Sequence, residues 1–564
     1  MKSYRPRIDA GLAAFFLFVL IPQGRAASFP MSDQDVFSAM KTEMSRSLSR
    51  LREGAFAPPY FIAYRLVSDL SFEASSSFGA LSEKEEKQSN TLYVEARYGD
   101  RSLDNTDLNY EGVSGPAQDS PLILREDLWR MTDEAYKDAI AGYLAKKAAR
   151  LTRYDADHLS DLSVETATAA FVPQAPPRFD EAKAAALATT LSAVFKRYPD
   201  VYRCDASVIL DWARRRLLTS EGTEIASPYQ SDPDILELDA MTRAPDGMEL
   251  EQDKSWVAPD LAGFPPEAEL EAAAQSMARD LELEREAPVQ PPMTAPAILD
   301  PEFTGVLFHE AIGHKLEGER QRDPQQNQLF KDMVGRRIIP SFLSVIDDPT
   351  LFRFQGRITH GFYRYDAEGV PARRVVLVDQ GVLRHFLMSR WPIKGFAHSN
   401  GHGRSSAGLR PLGRMANLII QAQDPVSLPQ LKKRLLELIR QSGKPYGFLL
   451  VGAFGGDNIN AINAAQTLEI RPKLIYRVDA KTGAQTLVRG VAMVGTPIDV
   501  LNRIVAAGND QKICNAYFCG AESGEVPVSQ IAPSVLVSQV ELQRLPENRR
   551  RPPILPSPLR DEKR

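Results

Sequence analysis

Apolar and polar positions follow two different periods along the first half of the chain. Apolar side chains recur every four or five residues between residues 31 and 52, which predicts an amphipathic helix. Similar stripes predict helices over residues 133–151 and 180–196. Aromatic and β-branched residues predict strands at 59–68, 73–79, 91–98, 207–212 and 216–221. Together these elements indicate a mixed α+β domain.

A proline-rich segment divides the chain. A charged helix predicted at 266–286 gives way to Ala287–Pro296, which cannot continue a helix and is typical of a domain junction. Strand- and glycine-rich sequence follows, as in Arg373–Val378 and Leu474–Val478. Since 564 residues exceed one compact core, we predict an α+β fold in two domains. Their predicted bounds are 27–290 (mixed) and 291–545 (β-rich), with a disordered tail at 546–564.

The first 26 residues have the organisation of a secretory signal peptide. Lys2, Arg5 and Arg7 precede the apolar run Ala10–Ile21, and the small residues Gly24 and Ala26 follow it at the positions that a signal peptidase reads. We predict cleavage after Ala26, with no transmembrane anchor left behind. The run is shorter than the roughly 20 residues that a membrane span needs, although an uncleaved N-terminal anchor is the alternative. The mature protein is therefore expected in the periplasm or outside the cell.

Composition narrows the class of protein further. The chain is 43% hydrophobic and 25% charged, as soluble globular proteins are. A net charge of −5 and a pI near 6.0 argue against a general nucleic-acid binder. The three cysteines, Cys204, Cys514 and Cys519, are too few for a disulfide scaffold. Cys514 and Cys519 could form a disulfide with each other, or one of them could be a metal ligand.

The strongest chemical signal is the HExxxH sequence His309–His314, directly after the apolar run Val306–Phe308. Two imidazoles can hold a zinc ion, while Glu310 acts as a base on zinc-bound water. The whole chain holds only seven histidines, so two of them flanking such a glutamate is an improbable coincidence.

The spacing of these histidines has a structural consequence. Five residues correspond to about 140° around a regular helix, so the two rings would not face one ion. They converge if the helix widens locally in a π-bulge, which is common at functional sites. We expect Gly313 to ease this distortion and to let the backbone approach the metal. The alternative is a surface helix that carries two histidines and no metal.

A catalytic zinc site needs a third protein ligand. The nearby candidates are Glu317 and Glu319. The distant candidates are His360, His385, His398, His402, Cys514 and Cys519. Spacing alone does not choose among them.

The C-terminal half resembles the TldD/PmbA family of metallopeptidases. The resemblance lies in an ordered set of segments between about residues 297 and 540. They are Phe308–Gly318, Asp366–Pro371, Asn400–Arg404, Pro411–Asn417, Arg489–Gly490, Ala507–Asp510 and Cys519–Gly520. As a set these segments are far more specific than any one of them, and the similarity becomes vague in the N-terminal half.

The resemblance implies a role for each matching residue. His309, His314 and Cys519 become zinc ligands, and Glu310 becomes the general base. Two imidazoles and a thiolate suit zinc, so the chemistry agrees with the family.

Other residues of the matching segments have less definite roles. His402 and Arg404, in a glycine-rich loop, are candidates to stabilise an oxyanion or bind substrate, although a plain turn would explain them equally well. Asn417, Asn509 and Asp510 also match, without separate roles.

The function implied is that of a zinc-dependent metallopeptidase acting on extended or unfolded peptides, bound as an added strand. The resemblance also implies a homodimer, or a heterodimer with a related subunit. This chain keeps the motif and so resembles the active, TldD-type subunit. Two alternatives are a non-catalytic binding or assembly subunit of such a complex and a zinc amidase acting on cell-wall peptides.

Overall fold

The computed structural model describes residues 31–107, 110–152, 159–173, 176–227, 232–322, 328–458, 468–515, 518–545, 555 and 557–559. The signal peptide predicted at 1–26 lies outside the described residues, as does most of the predicted tail at 546–564, so both stay predictions. No helix within the described ranges is long and apolar enough to cross a membrane.

The helices of the described part are α1 (Asp33–Arg50), α2 (Pro121–Thr152), α3 (Glu181–Ala193), α4 (Glu267–Glu286), α5 (Pro301–Phe308), α6 (Leu428–Gln441) and α7 (Pro497–Asn502). Side-chain caps explain several of their starts. Ser32 and Asp35 form a capping box on α1, and Asp180 and Asp300 each accept an N–H of the following first turn. The helices predicted at 31–52, 180–196 and 266–286 are confirmed as α1, α3 and α4.

Helix α2 begins at Pro121, well before the predicted start at residue 133. The extra turns carry apolar residues on two faces: Leu124 and Leu128 are buried, whereas Leu122 and Trp129 are exposed. A sequence that is apolar on both faces shows no clean helical stripe.

The strands of the N-terminal half are β1 (Phe61–Ser77), β2 (Ala80–Arg97), β3 (Gly99–Asp100), β4 (Leu103–Asp104), β5 (Val113–Pro116), β6 (Ala169–Phe171), β7 (Val201–Thr219), β8 (Glu224–Ser227), β9 (Asp234–Arg243) and β10 (Glu249–Ala258). Eight of them form one sheet in the order β10-β9-β7-β1-β2-β5, with β8 beside β7 and β6 beside β8. The strands predicted at 59–68 and 73–79 are one continuous strand, β1, and those at 207–212 and 216–221 are β7. Between the two predicted segments, the polar residues Asp69 and Ser71 alternate along β1 with buried Leu70 and Phe72.

The strands of the C-terminal half are β11 (Met293–Leu299), β12 (Leu343–Asp347), β13 (Arg353–Phe354), β14 (Arg357–Ile358), β15 (Val375–Asp379), β16 (Val382–Leu383), β17 (Gly403–Arg404), β18 (Leu412–Gly413), β19 (Asn417–Ala422), β20 (Tyr446–Asn458), β21 (Leu468–Asp479), β22 (Gln485–Val488), β23 (Val491–Gly495), β24 (Ile504–Ala507), β25 (Lys512–Cys514), β26 (Cys519–Ala521), β27 (Gly524–Val526), β28 (Ser529–Ala532) and β29 (Val535–Arg544). Seven of them form a sheet in the order β11-β20-β21-β23-β29-β24, with β22 beside β21. Because β11 also pairs with β29, the pairing closes on itself. Six others form a second sheet, β16-β15-β12-β19-β28-β25. This half is therefore β-rich, as predicted.

Helix α5 enters the core that these two sheets share. Phe303, Leu307 and Phe308 are fully buried there, in one cluster with Phe448 of β20 and Val345 of β12. Burying each such side chain contributes about 1.5–3 kcal/mol, so this core fixes the helix that leads into the HExxxH sequence.

The two halves of the chain are joined by polar contacts. Arg390 pairs with Glu221 at 2.8 Å, and Arg322 pairs with Asp161 at 2.6 Å. Within the described ranges, strands β1–β10 pair only among themselves, as do β11–β29. The domain boundary near residue 290 stays a prediction.

Candidate metal centre

The HExxxH sequence lies where helix α5 widens. A single π-helical turn spans His309–Gly313, and the His314 N–H donates to the carbonyl of His309, five residues earlier. This wider turn brings the two imidazole rings to 4.8 Å between centroids, nearly perpendicular to each other. The predicted π-bulge is confirmed.

Close packing gives an additional reason for a glycine at position 313. A Cβ at this position would lie 1.9 Å from the Sδ atom of Met415. Glycine is therefore required by the close packing of Met415 against the turn. That Gly313 also eases the distortion and lets the backbone approach a metal stays a prediction.

Cys519 completes the group from a distant part of the sequence. It begins β26, which forms a hairpin with β27, and its Sγ atom lies 3.4 Å from Nε2 of His314. The donor atoms of His309, His314 and Cys519 all lie within 4.8 Å of one another. All three side chains are buried. Among the described residues, no other cluster of three His, Cys, Asp or Glu side chains is as close.

The charges around this group favour a thiolate. Burial alone would raise the pKa of Cys519, but His314, His309 and Arg414 together lower it well below its ordinary value. Burial alone would lower the pKa of His314, whereas Cys519 and Glu317 raise it well above the usual value. A site that holds a thiolate and favours positive charge beside it is suited to a metal cation.

Two buried side chains orient the histidines. Nδ1 of His314 lies 2.9 Å from the Glu317 carboxylate, which leaves Nε2 facing Cys519. Nδ1 of His309 lies 3.0 Å from the Gln530 amide, while the Gln530 Oε1 atom is buried without a partner in the described structure. Turning that amide over would let Oε1 accept the His309 Nδ1–H and would leave Nε2 free for a metal. Carboxylate and amide partners of this kind are usual behind metal-binding histidines.

Arg414 joins the two segments that carry the three donors. Its guanidinium donates to the Cys519 carbonyl at 2.6 Å, lies 3.3 Å from the Cys519 Sγ atom, and lies 3.2 Å from Glu317. It also donates to the Ser523 hydroxyl and the Gly524 carbonyl. The side chain is completely buried. One cation therefore contacts both the cysteine and the carboxylate behind His314.

Glu310 stands beside this buried group and is half-buried itself. It follows His309 within the π-helical turn and does not belong to the three-donor cluster. The neighbouring Lys315 is buried. Burial and the charge of Arg320 lower the pKa of Lys315 to about 8, although the charge of Glu310 acts in the opposite direction.

The remaining candidates for a third ligand lie elsewhere. Burial and the charge of Glu317 raise the pKa of Glu319 to about 8, and Glu319 accepts the Gly413 N–H at 3.0 Å. Cys514 lies on β25 at the edge of its sheet, and both it and Cys519 are free thiols.

His402 and Arg404 do not join the three-donor group. His402 is completely buried, with Nε2 3.2 Å from Asp347 and Nδ1 3.0 Å from the Asn400 side chain. Arg404 donates to the carbonyls of Met415 and Pro527. A role of either residue in binding substrate stays a prediction, and Arg404 lines a cavity.

Part of the chain is similar in sequence to known proteins. Residues 292–544 match the family model of the PmbA/TldA metallopeptidase C-terminal domain. A metalloprotease from Methanothermobacter thermautotrophicus is 32% identical over 246 residues, 43% of this chain and 48% of the relative. A zinc metalloprotease TldD homolog from Saccharolobus solfataricus is 28% identical over 254 residues, 44% of this chain and 51% of the relative. The chain thus spans about half the length of the curated relatives it matches.

The fold is shared over a longer stretch. TldE from Thermococcus kodakarensis superimposes with a TM-score of 0.59 at 14% identity, covering 89% of this chain and 99% of that chain. This likeness confirms the mixed α/β fold. The family model and the metalloprotease relatives add a similarity in sequence to the TldD/PmbA family.

Gln530 and Arg414 were not identified as site residues from the sequence. Gln530 lies on β28 and packs against Gly305 of α5, where a Cβ would lie 2.8 Å from the Gln530 Cβ. Arg414 lies in the matching segment Pro411–Asn417, but nothing in its sequence surroundings indicates which residues it contacts. Asn417 and Asp510, from the matching segments, bond to nearby backbone: Asn417 to Asp348 and Gly361, and Asp510 to Ser534.

Proposed function

We propose that the chain is a zinc-dependent metallopeptidase that hydrolyses peptide bonds in extended or unfolded peptides. The observation that carries this proposal is the convergence of His309, His314 and Cys519, with donor atoms within 4.8 Å, beside the half-buried Glu310. The metalloprotease names of the relatives support the same reaction class.

The donor set fits zinc. Two imidazoles and one thiolate are characteristic zinc ligands, and three protein ligands leave a position for water or substrate. Glu317 and Gln530 bond the far ring nitrogens, and that arrangement presents Nε2 of each histidine to an ion. Zinc bound there would supply a Lewis acid that polarises the scissile carbonyl and lowers the pKa of water.

Glu310 would act as the proton carrier. Its carboxylate takes a proton from the attacking water as the new C–O bond forms at the peptide carbonyl carbon. It then gives this proton to the amine nitrogen as the C–N bond breaks. The half-buried position of Glu310, beside fully enclosed ligands, suits a group that must meet both water and substrate.

Substrate, partner and location are parts of the same proposal. An extended peptide would bind as an added strand, and the active assembly would be a homodimer or a heterodimer with a related subunit. The signal-like pattern of residues 1–26 supports export to the periplasm or beyond the cell.

The test compares the purified mature chain with Glu310→Gln, which keeps the size of the side chain and removes the base. We expect the variant to bind as much zinc as the wild type and to lose at least about 100-fold of the hydrolysis rate on unfolded peptides, the usual contribution of a general base. Glu437→Gln, an exposed position on α6, is the matched control.

Measuring the zinc content of the variants distinguishes the metal ligands from the general base. Cys519→Ser should lose zinc, whereas Cys514→Ser should keep it. A wild type without zinc, or Glu310→Gln as active as the wild type, would reject the peptidase. Zinc binding without hydrolysis of any peptide would favour the binding or assembly subunit, and hydrolysis confined to cell-wall peptides would favour the amidase.

A further inference from the structure

A cavity of about 210 Å³ lies between the N-terminal sheet and the C-terminal half. Arg65 and Asp69 of β1 line it from the first half, and Tyr363 and Arg404 line it from the second. Phe518, the residue directly before Cys519, also contributes to its wall. The cavity therefore adjoins the segment that carries the cysteine of the metal centre.

Two of its arginines are buried and form no close ion pair in the described ranges, although the charge of Asp347 acts on Arg404. Arg65 donates to the Ser405 hydroxyl at 2.8 Å and to the Leu409 carbonyl, and its guanidinium stacks 4.1 Å from the Tyr93 ring centroid. Arg404 bonds only two backbone carbonyls and stacks 4.9 Å from the ring of Tyr363. Both side chains are buried. Neither forms an ion pair with any residue in the described ranges.

Arg65 and Arg404 each lack a paired counter-ion and acceptors for some of their N–H donors. A guanidinium has five N–H donors, so the two bonds that each arginine makes leave three donors unused. A buried cation is costly without a counter-ion. An oxyanion in the cavity would supply both the charge and the acceptors, and a carboxylate matches the planar fork of arginine.

The acids that line the cavity do not fill this role. Asp366 accepts the backbone N–H groups of Val370 and Gly403 at 2.9 Å. Glu525 is exposed. Burial raises the pKa of Asp69 to about 6. The charge of Arg215 opposes this increase most strongly, and Arg215 is itself paired with Asp232. Arg65 and Arg404 are therefore the residues of this cavity that are available to bind a carboxylate.

We infer that this cavity binds a carboxylate of the peptide substrate, held jointly by Arg65 from the N-terminal half and Arg404 from the C-terminal half. The inference rests on the proposed peptidase function, since it assigns the cavity to the substrate of that reaction. A volume of about 210 Å³ suits one terminal or acidic residue better than a larger ligand. It also gives Arg404 a specific substrate group to bind.

The experiment measures equilibrium binding to the full chain carrying Glu310→Gln, so that turnover does not interfere. Two pairs of unfolded peptides are used: one with a free or amidated C-terminus, and one with a single Glu or Gln. We expect the carboxylate form of at least one pair to bind about tenfold more tightly, the ratio that one charge-assisted hydrogen bond provides. The pair that shows the preference identifies the terminal or the side-chain carboxylate.

Substitutions then show which residues cause the preference for the carboxylate form of the peptide. Arg404→Gln and Arg65→Gln should each abolish it, while Arg374→Gln, an exposed arginine on the C-terminal half, should leave it unchanged. Where a Gln variant does not fold, the Lys variant should keep a reduced preference.

The possible outcomes distinguish this inference from the peptidase proposal. Equal binding of both forms in both pairs, or a preference that survives Arg404→Gln and Arg65→Gln, would overturn the inference and leave hydrolysis unaffected. A preference that depends on these arginines in a chain that hydrolyses no peptide would support the cavity and reject the peptidase.

Discussion

Replacing Arg414 with methionine tests whether one buried cation organises the metal centre. Methionine keeps much of the volume but removes the contacts to Glu317 at 3.2 Å and to the Cys519 carbonyl at 2.6 Å. The segment that carries His314 and Glu317 and the segment that carries Cys519 then lose the side chain that contacts both of them. Groups that orient metal ligands typically contribute 10–100-fold to metal affinity, so zinc should bind about 10–100-fold more weakly. That ratio corresponds to about 1.4–2.8 kcal/mol.

The fold should also become less stable. Removing one partner of a buried ion pair costs about 3–5 kcal/mol. Arg320 still contacts Glu317 at 2.6 Å in the variant, so we expect the low end of this range, about 3 kcal/mol. Urea unfolding of the metal-free chain measures this term, and titration against a chromogenic chelator measures zinc affinity.

Arg489→Met is the matched control because Arg489 is another buried arginine, with partners at the Ala287 carbonyl (2.9 Å) and Asp246 (3.2 Å). It should reduce stability and leave zinc affinity unchanged. Arg414→Lys keeps the charge but cannot span both segments, so its zinc affinity should be intermediate. A folded Arg414→Met chain with the zinc affinity of the wild type would refute the reasoning.

Two further predictions concern packing and pH. Gly313→Ala should lower the free energy of unfolding by about 1–3 kcal/mol, because its Cβ would lie 1.9 Å from Met415 Sδ; urea unfolding checks this, and Met415→Ala should restore part of the loss. Burial raises the pKa of Glu284 to about 8, so between about pH 4 and 8 the native state keeps a proton that the unfolded chain has released. Stability should therefore fall as pH rises through that window, and Glu284→Gln should flatten the slope of unfolding free energy against pH. The same slope in the variant would contradict the assignment.

The fold was predictable where local periodicity decides the structure. Helices α1, α3 and α4 each have one buried face, and the sequence shows it. The long strand β1 was divided wrongly because Asp69 and Ser71 interrupt an apolar run. In a sheet whose strands alternate between two environments, such residues take the more polar face without ending the strand.

The site was predictable to the extent that its chemistry is local. The spacing of His309 and His314 required a wider helical turn, and the turn is present. Cys519 came from family resemblance, because nothing near residue 519 indicates a partner 205 residues earlier. Gln530 and Arg414 depend wholly on tertiary contacts, Gln530 reaching His309 across 221 residues. Residues of this kind become visible only when the sheets are assembled.

The candidate ligands lie on segments of a packed core, and this affects how a metal would be bound. In a zinc finger the ligands lie on a chain that is unfolded without metal, so much of the binding energy is used in folding. Here Phe303, Leu307 and Phe308 anchor the histidine turn in a shared core, and Arg414 and Glu317 connect it to Cys519. Packing and charge from the rest of the fold thus contribute to holding the donors together. A short HExxxH sequence would have little affinity alone, because the surrounding sheets supply both the candidate third ligand, Cys519, and the contacts that keep the histidines in place.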